Sequence, residues 1–374
     1  MKANVVGGGI AGVAVGACLA RAGYEVTLFE RGLELREVGA GIFLKENSLK
    51  VLEQLGQLHR VLEKGSRINS SEMWSTGAKK ILARPGTKYR TYVLPRQELH
   101  TALIDSAIAA GVVIETNANA ESATVDGDLC LADGRQYKAD VTIGADGVYS
   151  AVRDSLGLGV DVRDTGNGSW RALFASSPED PTDSVIEYWS RNCRMLVTPA
   201  GGGLTYVCAS SRDDDVELSG DTFNKAAWTH SFPEFQKLIA RIPDAALTRR
   251  RHVRTWVNSW HRGCVAILGD AVHGQPPNLG QGAGLAMANA ASLVRNVSAS
   301  PTPEEGFRRW ESEERGFTET VQAWSSVYDD VVHAWPVQFE SERNAFVRAI
   351  GETPETRNRW LAYAQGMSEL ANTV

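Results

Sequence analysis

A cluster of glycines near the start of the sequence constrains the fold more than any other feature. Gly7-Gly8-Gly9-Ile10-Ala11-Gly12 matches the pattern G-x-G-x-x-G, and it follows a short apolar run, Lys2–Val6. The run predicts a buried strand, and the Ala-, Val- and Leu-rich segment Ile10–Ala22 predicts a helix that ends at Gly23. Glu25–Phe29 then predicts a second strand. The chain therefore opens with a β-α-β unit.

A glycine loop at this place in a β-α-β unit is typical of a dinucleotide site. Gly7, Gly9 and Gly12 permit a tight turn and the close approach of a pyrophosphate, which then rests on the positive N-terminus of the helix. Glu30 follows the second strand, 18 positions after Gly12. Its carboxylate suits the hydroxyl groups of a ribose and disfavours a 2′-phosphate. The pattern is equally compatible with FAD and with NAD.

Two further motifs follow later strands. Val141–Gly144 predicts a strand that leads into Asp146-Gly147, with Arg153 shortly after. Cys264–Leu268 predicts a strand that leads into Gly269-Asp270, where the carboxylate can accept hydrogen bonds from sugar-like hydroxyls. Gly280-Gln281-Gly282 then precedes a helix whose first N–H groups would stabilise a developing anion. Taken singly, each motif is also compatible with an ordinary strand-to-helix turn.

The remaining chain divides into a strand-rich middle and a helical tail. Predicted strands are Trp170–Ala175, Val185–Trp189, Arg194–Thr198, Leu204–Ser210 and His252–Trp256, and they indicate an antiparallel sheet. Predicted helices are Asn47–Leu62, Arg96–Ala110 and Thr222–Ile242. In the tail, Thr302-Pro303 and Thr353-Pro354 are typical helix starts, with a capping residue before a proline.

Charge and cysteine usage exclude several classes of protein. The formal charge is −6, with 39 Lys and Arg against 45 Asp and Glu, so we expect no nucleic-acid partner. The five cysteines contain no Cys-x-x-Cys pair, which argues against disulfides and metal sites and favours the cytoplasm. No apolar run approaches the roughly 20 residues of a membrane span, so we expect no membrane partner.

The three glycine motifs, in this order, resemble those of the class A flavoprotein monooxygenases, the para-hydroxybenzoate hydroxylase family, over about residues 1–300. The resemblance implies an α/β fold in which a Rossmann-like FAD-binding domain is interleaved with an antiparallel-sheet substrate domain and followed by a C-terminal helical tail. It implies FAD-binding segments at 1–70, 95–165 and 256–300, substrate segments at 71–94 and 166–255, and tail helices at 301–374.

The resemblance also implies which residues surround FAD. Asp146-Gly147 with Arg153 would serve both the FAD pyrophosphate and NAD(P)H, and the Gly280–Gly282 turn would lie against the flavin ring. The full set of implied cofactor residues is Gly7, Gly9, Gly12, Glu30, Arg31, Gly41, Arg96, Asp146, Arg153, Asp270, Pro277, Gly280, Gly282 and Ala283.

A narrower branch of the family is closer still. Gly39–Leu44, Gln281-Gly282-Ala283-Gly284 and Asn289-Ala290 resemble the branch of the 2-methyl-3-hydroxypyridine-5-carboxylate oxygenases. That likeness implies four substrate contacts, which are Arg171, Arg194, Tyr206 and His252. The arginines would orient a carboxylate or phenolate. The alternative is that each arginine pairs with a neighbouring acid such as Glu187.

Taken together, the resemblance implies an FAD-dependent monooxygenase that consumes NAD(P)H and O2 and needs no protein nucleophile. A flavin C4a-hydroperoxide would oxygenate a small anionic ring, either a hydroxypyridine or a related N-heteroaromatic carboxylate, with ring opening permitted. One alternative is a simple hydroxylase of a hydroxybenzoate or hydroxynicotinate. Another is a flavin-binding redox sensor without turnover. We expect a monomer or homodimer.

Overall fold

The computed structural model describes residues 1–36, 40–77, 79–86 and 88–371. Gly39, at the start of the Gly39–Leu44 segment, lies outside the described residues. The strands are β1 (Lys2–Val6), β2 (Glu25–Phe29), β3 (Gly41–Leu44), β4 (Ser66–Arg67), β5 (Ser70–Ser75), β6 (Lys79–Pro85), β7 (Tyr92–Pro95), β8 (Val113–Glu115), β9 (Ala120–Ala123), β10 (Leu129–Leu131), β11 (Gln136–Tyr137), β12 (Val141–Gly144), β13 (Val160–Ala175), β14 (Ser184–Ser190), β15 (Cys193–Pro199), β16 (Leu204–Arg212), β17 (Thr248–Val257), β18 (His261–Arg262) and β19 (Val265–Ile267). The α-helices are α1 (Ile10–Arg21), α2 (Glu46–Gln54), α3 (Leu58–Glu63), α4 (Arg96–Ala109), α5 (Ala151–Ser155), α6 (Val216–Ser219), α7 (Lys225–Ser231), α8 (Gln236–Arg241), α9 (Asp270–His273), α10 (Gly282–Ser298), α11 (Pro303–His333), α12 (Glu340–Glu352), α13 (Pro354–Gln365) and α14 (Ser368–Ala371).

A mostly parallel sheet forms the first layer. Its six strands run in the order β18-β19-β12-β1-β2-β8, and β1 pairs in parallel with both β2 and β12. Val5, Leu28 and Ile143 are fully buried within it, because helices cover both faces of a parallel sheet. The carboxyl ends of β1, β12 and β19 lead into the three glycine motifs. The sheet therefore brings the three motifs to one edge, as in other doubly wound folds.

A seven-stranded sheet forms the second layer, in the order β17-β13-β16-β15-β14-β5-β6. Its side chains alternate between two faces, as the pleat of a strand requires. On β16, Val207 and Ala209 pack under helices α7 and α8, together with Trp228. Tyr206 and Cys208 face the opposite way, into a separate apolar cluster. This second face is the one that borders the cavity described below.

The helical tail packs across both layers. α11 begins where the sequence predicts, because the Thr302 hydroxyl caps the helix by accepting a hydrogen bond from the N–H of Glu305 at 3.3 Å. α11 packs on α10, and α12 and α13 continue over β6. Among the described residues, none of the helices combines the length and apolar character that crossing a bilayer requires.

The structure departs from the sequence predictions at two helices and at three groups of strands. The predicted helix Asn47–Leu62 is two helices, since Gly56 adopts a φ of +69° between them. The predicted helix Thr222–Ile242 is likewise interrupted at Phe232–Pro233, because proline cannot continue the hydrogen-bond ladder. Strands β3–β7, β9–β11 and β18 were not predicted. The assignment of chain segments to an FAD domain and a substrate domain stays a prediction.

Candidate active site

A large cavity lies between the carboxyl edge of the parallel sheet, the inner face of the seven-stranded sheet and helix α13. Its volume is about 1340 Å³. Ordinary small-molecule pockets measure roughly 300–1,000 Å³. The cavity is therefore large enough for a dinucleotide and a second small molecule together.

The first glycine motif closes one end of the cavity. Gly7 has a φ of +104°, and a Cβ there would lie 2.4 Å from the carbonyl oxygen of Ala145, so only glycine fits. A Cβ on Gly12 would lie 1.9 Å from the carbonyl oxygen of Gly7. Gly7 and Gly9 line the cavity, whereas Gly12 stands behind them and permits the tight packing of α1. No side chain caps the N-terminus of α1, which leaves its first N–H groups available to a ligand.

Glu30 lies at the tip of β2, beside this loop. Its two carboxylate oxygens accept hydrogen bonds from the N–H groups of Gly8 and Gly32, each at 2.7 Å. These bonds hold the carboxylate in the cavity wall, next to Arg31. Gly41 and Arg96 also line the cavity, and the N–H of Arg96 donates to the carbonyl of Ala40 at 2.9 Å.

The second motif is only partly at the cavity. Asp146 lines it and accepts hydrogen bonds from the Ser150 hydroxyl at 2.5 Å and from the N–H of Val152 at 3.2 Å. Burial raises the pKa of this carboxyl. Arg153 lies outside the cavity wall. Its guanidinium is buried and donates to the carbonyls of Val148 and Ala271 at 2.9 and 3.2 Å.

Arg153 is therefore not among the residues that line the cavity, and its predicted role toward the cofactor stays a prediction. The guanidinium instead joins the loop of the second motif to helix α9, which carries Asp270 of the third. A buried arginine needs hydrogen-bond acceptors such as these loop carbonyls, because its charge is costly when it has no hydrogen-bond partners.

The third motif and the turn before α10 form the cavity wall beside the first motif, since a Cβ on Gly269 would lie 2.7 Å from the Cβ of Ala11. Asp270 exposes its carboxylate to the cavity. Pro277, Gly280, Gly282 and Ala283 follow along the same wall. Gly280 has a φ of +60°, and a Cβ there would lie 3.2 Å from Phe43. A Cβ on Gly282 would meet nothing within 4 Å, because this position faces open space at the N-terminus of α10.

The side chain of Gln275 indicates what kind of ligand the cavity suits. Both its amide nitrogen and its amide oxygen are buried without a protein partner, although the residue lines the cavity. Buried amide groups are rarely left unpaired, so these atoms call for a ligand that both donates and accepts hydrogen bonds. The ring system of a flavin satisfies that requirement, and the residues present therefore fit the group.

Arg194 lies on β15 at the other end of the cavity, and it is not free. Its side chain is 3% exposed, and its Nε lies 3.4 Å from a carboxylate oxygen of Glu187. Its Nη1 donates to the amide oxygen of Asn278 at 2.6 Å. Glu187 also accepts hydrogen bonds from the Tyr328 hydroxyl at 2.6 Å and from the indole of Trp189. The pairing with Glu187 foreseen as the alternative is therefore present for Arg194, although the residue does line the cavity.

Arg171 and Tyr206 lie on β13 and β16, beside Arg194. The Nε of Arg171 is buried without a hydrogen-bond partner. Burial raises the pKa of Tyr206, so its hydroxyl remains a donor at neutral pH. A Cβ on Gly41 would lie 2.4 Å from the ring of Tyr206, which explains a glycine at that position. Both predicted substrate residues line the cavity.

His252, the fourth predicted substrate residue, is not at the cavity. It is buried between β17 and α11, where its Nδ1–H donates to Asp329 at 2.9 Å and its Nε2 lies 3.0 Å from the Ser169 hydroxyl. Burial lowers the pKa of His252. His252 does not line the cavity, because the strand register turns its side chain toward the tail helix, and its predicted substrate contact stays a prediction. Asn278 connects the buried His252–Asp329 pair to the cavity, since it donates to Asp329 at 3.1 Å and lines the cavity.

Comparison with known proteins decides the family. A family model described as an FAD binding domain matches residues 1–325. A 2-heptyl-3-hydroxy-4(1H)-quinolone synthase of Mycobacteroides abscessus is 34% identical, over 86% of this chain and 88% of that protein. The 6-hydroxynicotinate 3-monooxygenase of Bordetella bronchiseptica is 32% identical, over 78% of this chain and 81% of that protein. The chain belongs to the class A FAD monooxygenases.

A solved structure agrees with this assignment. The tetrameric form of 2-methyl-3-hydroxypyridine-5-carboxylic acid oxygenase superposes on this monooxygenase with a TM-score of 0.84 and 31% identity, covering 97% of this chain and 95% of the other. The predicted fold class, enzyme class and FAD cofactor are confirmed, and NAD(P)H is the usual electron donor of the family.

Sequence reasoning missed several side chains at the substrate end of this monooxygenase. Lys45, Arg84, Gln275, Asn278 and Trp360 all line the cavity. Arg84 belongs to β6, which was not predicted, and Trp360 belongs to α13 of the helical tail. The segment Lys79–Pro85 lacks the alternation of polar and apolar residues that would mark β6 as a strand. No local pattern marks the other four residues.

Proposed function

We propose that this FAD monooxygenase oxygenates a small, anionic, hydroxylated N-heteroaromatic ring, with NAD(P)H as the electron donor. The names of its relatives support a nitrogen heterocycle, since they refer to a quinolone, a hydroxynicotinate and a hydroxypyridine carboxylate. The proposed oxygenation either leaves the ring intact or opens it, and product analysis distinguishes these two reactions.

The charge of the substrate end is the observation that carries the proposal. Arg171 reaches the cavity without an ion-pair partner among the described residues, and Arg194 is neutralised by Glu187. Tyr206 adds a neutral hydroxyl donor beside them. A buried cation without a partner is costly, and an anionic ligand offsets that cost with charge-assisted hydrogen bonds. The arrangement therefore favours a carboxylate or phenolate over a neutral ring.

The opposite end of the cavity is proposed to hold FAD. Gly7, Gly9 and the N-terminus of α1 would receive the pyrophosphate, and Glu30 would accept hydrogen bonds from the ribose. Asp270 would do the same for the ribitol. Arg31, Gly41, Arg96, Asp146, Pro277, Gly280, Gly282 and Ala283 complete the proposed cofactor wall.

FAD, once bound and reduced, supplies activated oxygen to the ring. The protein's own residues then have three tasks: they hold the ring, orient it and exclude water. Arg171 binds the anionic group and Tyr206 donates to a ring substituent. Asn278 fixes the guanidinium of Arg194, and Trp360 of α13 forms part of the cavity wall.

A panel of hydroxypyridine and hydroxybenzoate carboxylates tests the proposal. The purified holoenzyme should oxidise NAD(P)H faster with an anionic N-heteroaromatic member than without substrate, and the product should gain oxygen. A product with one added oxygen and an intact ring indicates hydroxylation, whereas a cleaved ring indicates ring opening.

The Arg171→Met variant is the matched test of the charge argument. We expect it to retain FAD and to lose affinity for the anionic substrate by about 2–4 kcal/mol, since a desolvated charge pair is broken. A neutral analogue should be affected far less. If no panel member stimulates NAD(P)H oxidation, the proposed substrate class is wrong.

A further inference from the structure

We infer that Lys45, Arg84 and Trp360 form a second anion-binding subsite in the cavity, and that it holds an acidic group of the substrate. This inference rests on the proposed function, since it assigns a further recognition element to the same cavity. None of the three residues belongs to the sheet positions at which the sequence predicts substrate contacts.

Arg84 is held flat and has unused donors. Its guanidinium carbon lies 3.4 Å from the centroid of the Trp360 ring, so the indole covers one face of the guanidinium. Its Nε is buried without a hydrogen-bond partner. Burial lowers the pKa of Arg84 to about 10, so the group remains charged at neutral pH. A stacked guanidinium with free edges is preorganised for bidentate binding of a planar carboxylate.

Lys45 contributes a second uncompensated charge. Its Nζ donates to the carbonyl of Leu279 at 3.0 Å and lies 5.8 Å from the centroid of the Phe43 ring. In the part of the chain that the structure describes, it has no ion pair with a carboxylate. Burial and the nearby charge of Arg84 lower the pKa of Lys45 to about 8. Two cations that repel each other inside a cavity gain stability when an anion lies between them.

The nearby carboxylates are already committed to other partners. Glu187 binds Arg194 and Tyr328, as described above. Glu72, on the adjacent strand β5, pairs with Lys80 at 2.9 Å and accepts from the indole of Trp74 at 3.1 Å. Glu46, next to Lys45, pairs with Arg90 at 2.6 Å. Tyr328 and Glu187 lie close enough to Arg84 to raise its pKa against the larger effect of burial, but among the described residues neither Lys45 nor Arg84 has an ion-pair partner.

The two ends of the substrate wall are well separated. Arg84 lies on β6 and Arg171 on β13, five strand positions apart in the sheet. At about 4.8 Å between strands, the two backbones are on the order of 24 Å apart. A single carboxylate is therefore not shared by both arginines. The subsite fits an aromatic acid whose carboxylate faces Arg84 while an anionic, phenolate-type oxygen on the other side of the ring faces Arg171 and Tyr206.

The test compares 6-hydroxynicotinate with its carboxamide, 6-hydroxynicotinamide, by calorimetric titration of the holoenzyme. Wild-type protein should prefer the acid. Arg84→Met and Lys45→Met should each weaken acid binding at least tenfold and change carboxamide binding less than threefold. Arg60→Met, which removes an exposed arginine paired with Asp105 at the surface, should change neither.

Circular dichroism and FAD content establish that each variant is folded, and Arg84→Lys retains the charge if Arg84→Met does not fold. Equal binding of acid and carboxamide by wild-type protein would overturn the subsite, as would an unchanged preference in both methionine variants. An increase in KM for NAD(P)H alone would also overturn it, because the cations would then bind the nucleotide phosphates. Preference for the acid without turnover would keep the subsite and remove the proposed function.

Discussion

At the scale of single residues, the partner of a side chain determines what that side chain can do. Arg171 and Arg194 face the same cavity, yet only Arg194 has a carboxylate, that of Glu187, within ion-pair distance. Arg153 and His252 are buried behind the cavity wall and use their donors on protein groups. Residue type and spacing identify candidates, whereas burial and partners decide which candidates remain available to a ligand.

Asp270 provides a prediction at this scale. Its carboxylate faces the cavity, where we expect it to accept a hydrogen bond from the cofactor's sugar-like chain. Asp270→Ala should therefore weaken FAD binding by about 1–3 kcal/mol, the usual cost of removing one partner of a buried hydrogen bond. Fluorescence titration of the apoprotein with FAD measures the change. Asp244→Ala, which removes a carboxylate that is 86% exposed and away from the cavity, is the control. Unchanged FAD affinity in Asp270→Ala would remove this residue from the cofactor site.

At the scale of secondary-structure elements, the local sequence was sufficient to predict a strand or helix where the adjoining turn requires a particular residue. The first strand, the first helix and the second strand form where the glycine loop predicts, because the clashes at Gly7 and Gly12 leave no other residue that fits. Helix breaks at Gly56 and Pro233 escaped prediction, since the apolar periodicity continues across both. The pairing of β5 with β14 joins residues more than 100 positions apart, so no local pattern reveals it. The Arg84 subsite depends on the same long-range pairing.

The turn before α10 carries the prediction for elements. Gly282 is the first residue of the helix, and its N–H is one of the donors that the helix leaves unpaired. Gly282→Pro removes that donor and disfavours the αR conformation of Gln281. We expect weaker FAD retention and slower flavin reduction, because charge that develops on the ring loses a stabilising dipole.

Gly282→Ala is the matched control for the turn. It keeps the N–H, and its Cβ would meet nothing within 4 Å. Stopped-flow reduction by NAD(P)H and FAD content should therefore stay close to the wild type in the alanine variant. Equal behaviour of the proline and alanine variants would mean that the N–H of Gly282 does not face the flavin.

At the scale of the whole molecule, one buried carboxylate joins the tail to the seven-stranded sheet. Asp329 of α11 is fully buried and accepts hydrogen bonds from His252 at 2.9 Å, Asn167 at 2.9 Å and Asn278 at 3.1 Å. His333, one turn later, lies 3.3 Å from the same carboxylate. These donors hold the pKa of Asp329 well below its usual range, against the effect of burial. Helix α11, the seven-stranded sheet and the cavity wall are therefore connected through one buried carboxylate.

This cluster predicts how stability depends on pH. A carboxyl whose pKa is lower in the folded state stabilises the fold above its unfolded pKa of about 4, and that contribution is lost as the pH falls. His252 acts in the same direction, because its lowered pKa means that the folded state resists the proton that the unfolded chain accepts below about pH 6.5. The free energy of unfolding should thus decrease steadily as the pH falls from 7 to 4.

Asp329→Asn tests the origin of that decrease. The variant keeps the shape of the side chain but loses the charged acceptor, so we expect unfolding to become easier by about 3 kcal/mol at pH 7. The loss of stability below pH 5 should also be shallower than in the wild type, because one carboxyl that is protonated on unfolding is gone. Asp330→Asn is the control, since the neighbouring carboxylate is 56% exposed and pairs with Arg254 at the surface, where ion pairs contribute at most about 1 kcal/mol. Urea denaturation at several pH values measures both variants. If both variants lose the same free energy of unfolding, the buried carboxylate of Asp329 contributes no more to the stability of the fold than an ordinary surface ion pair does.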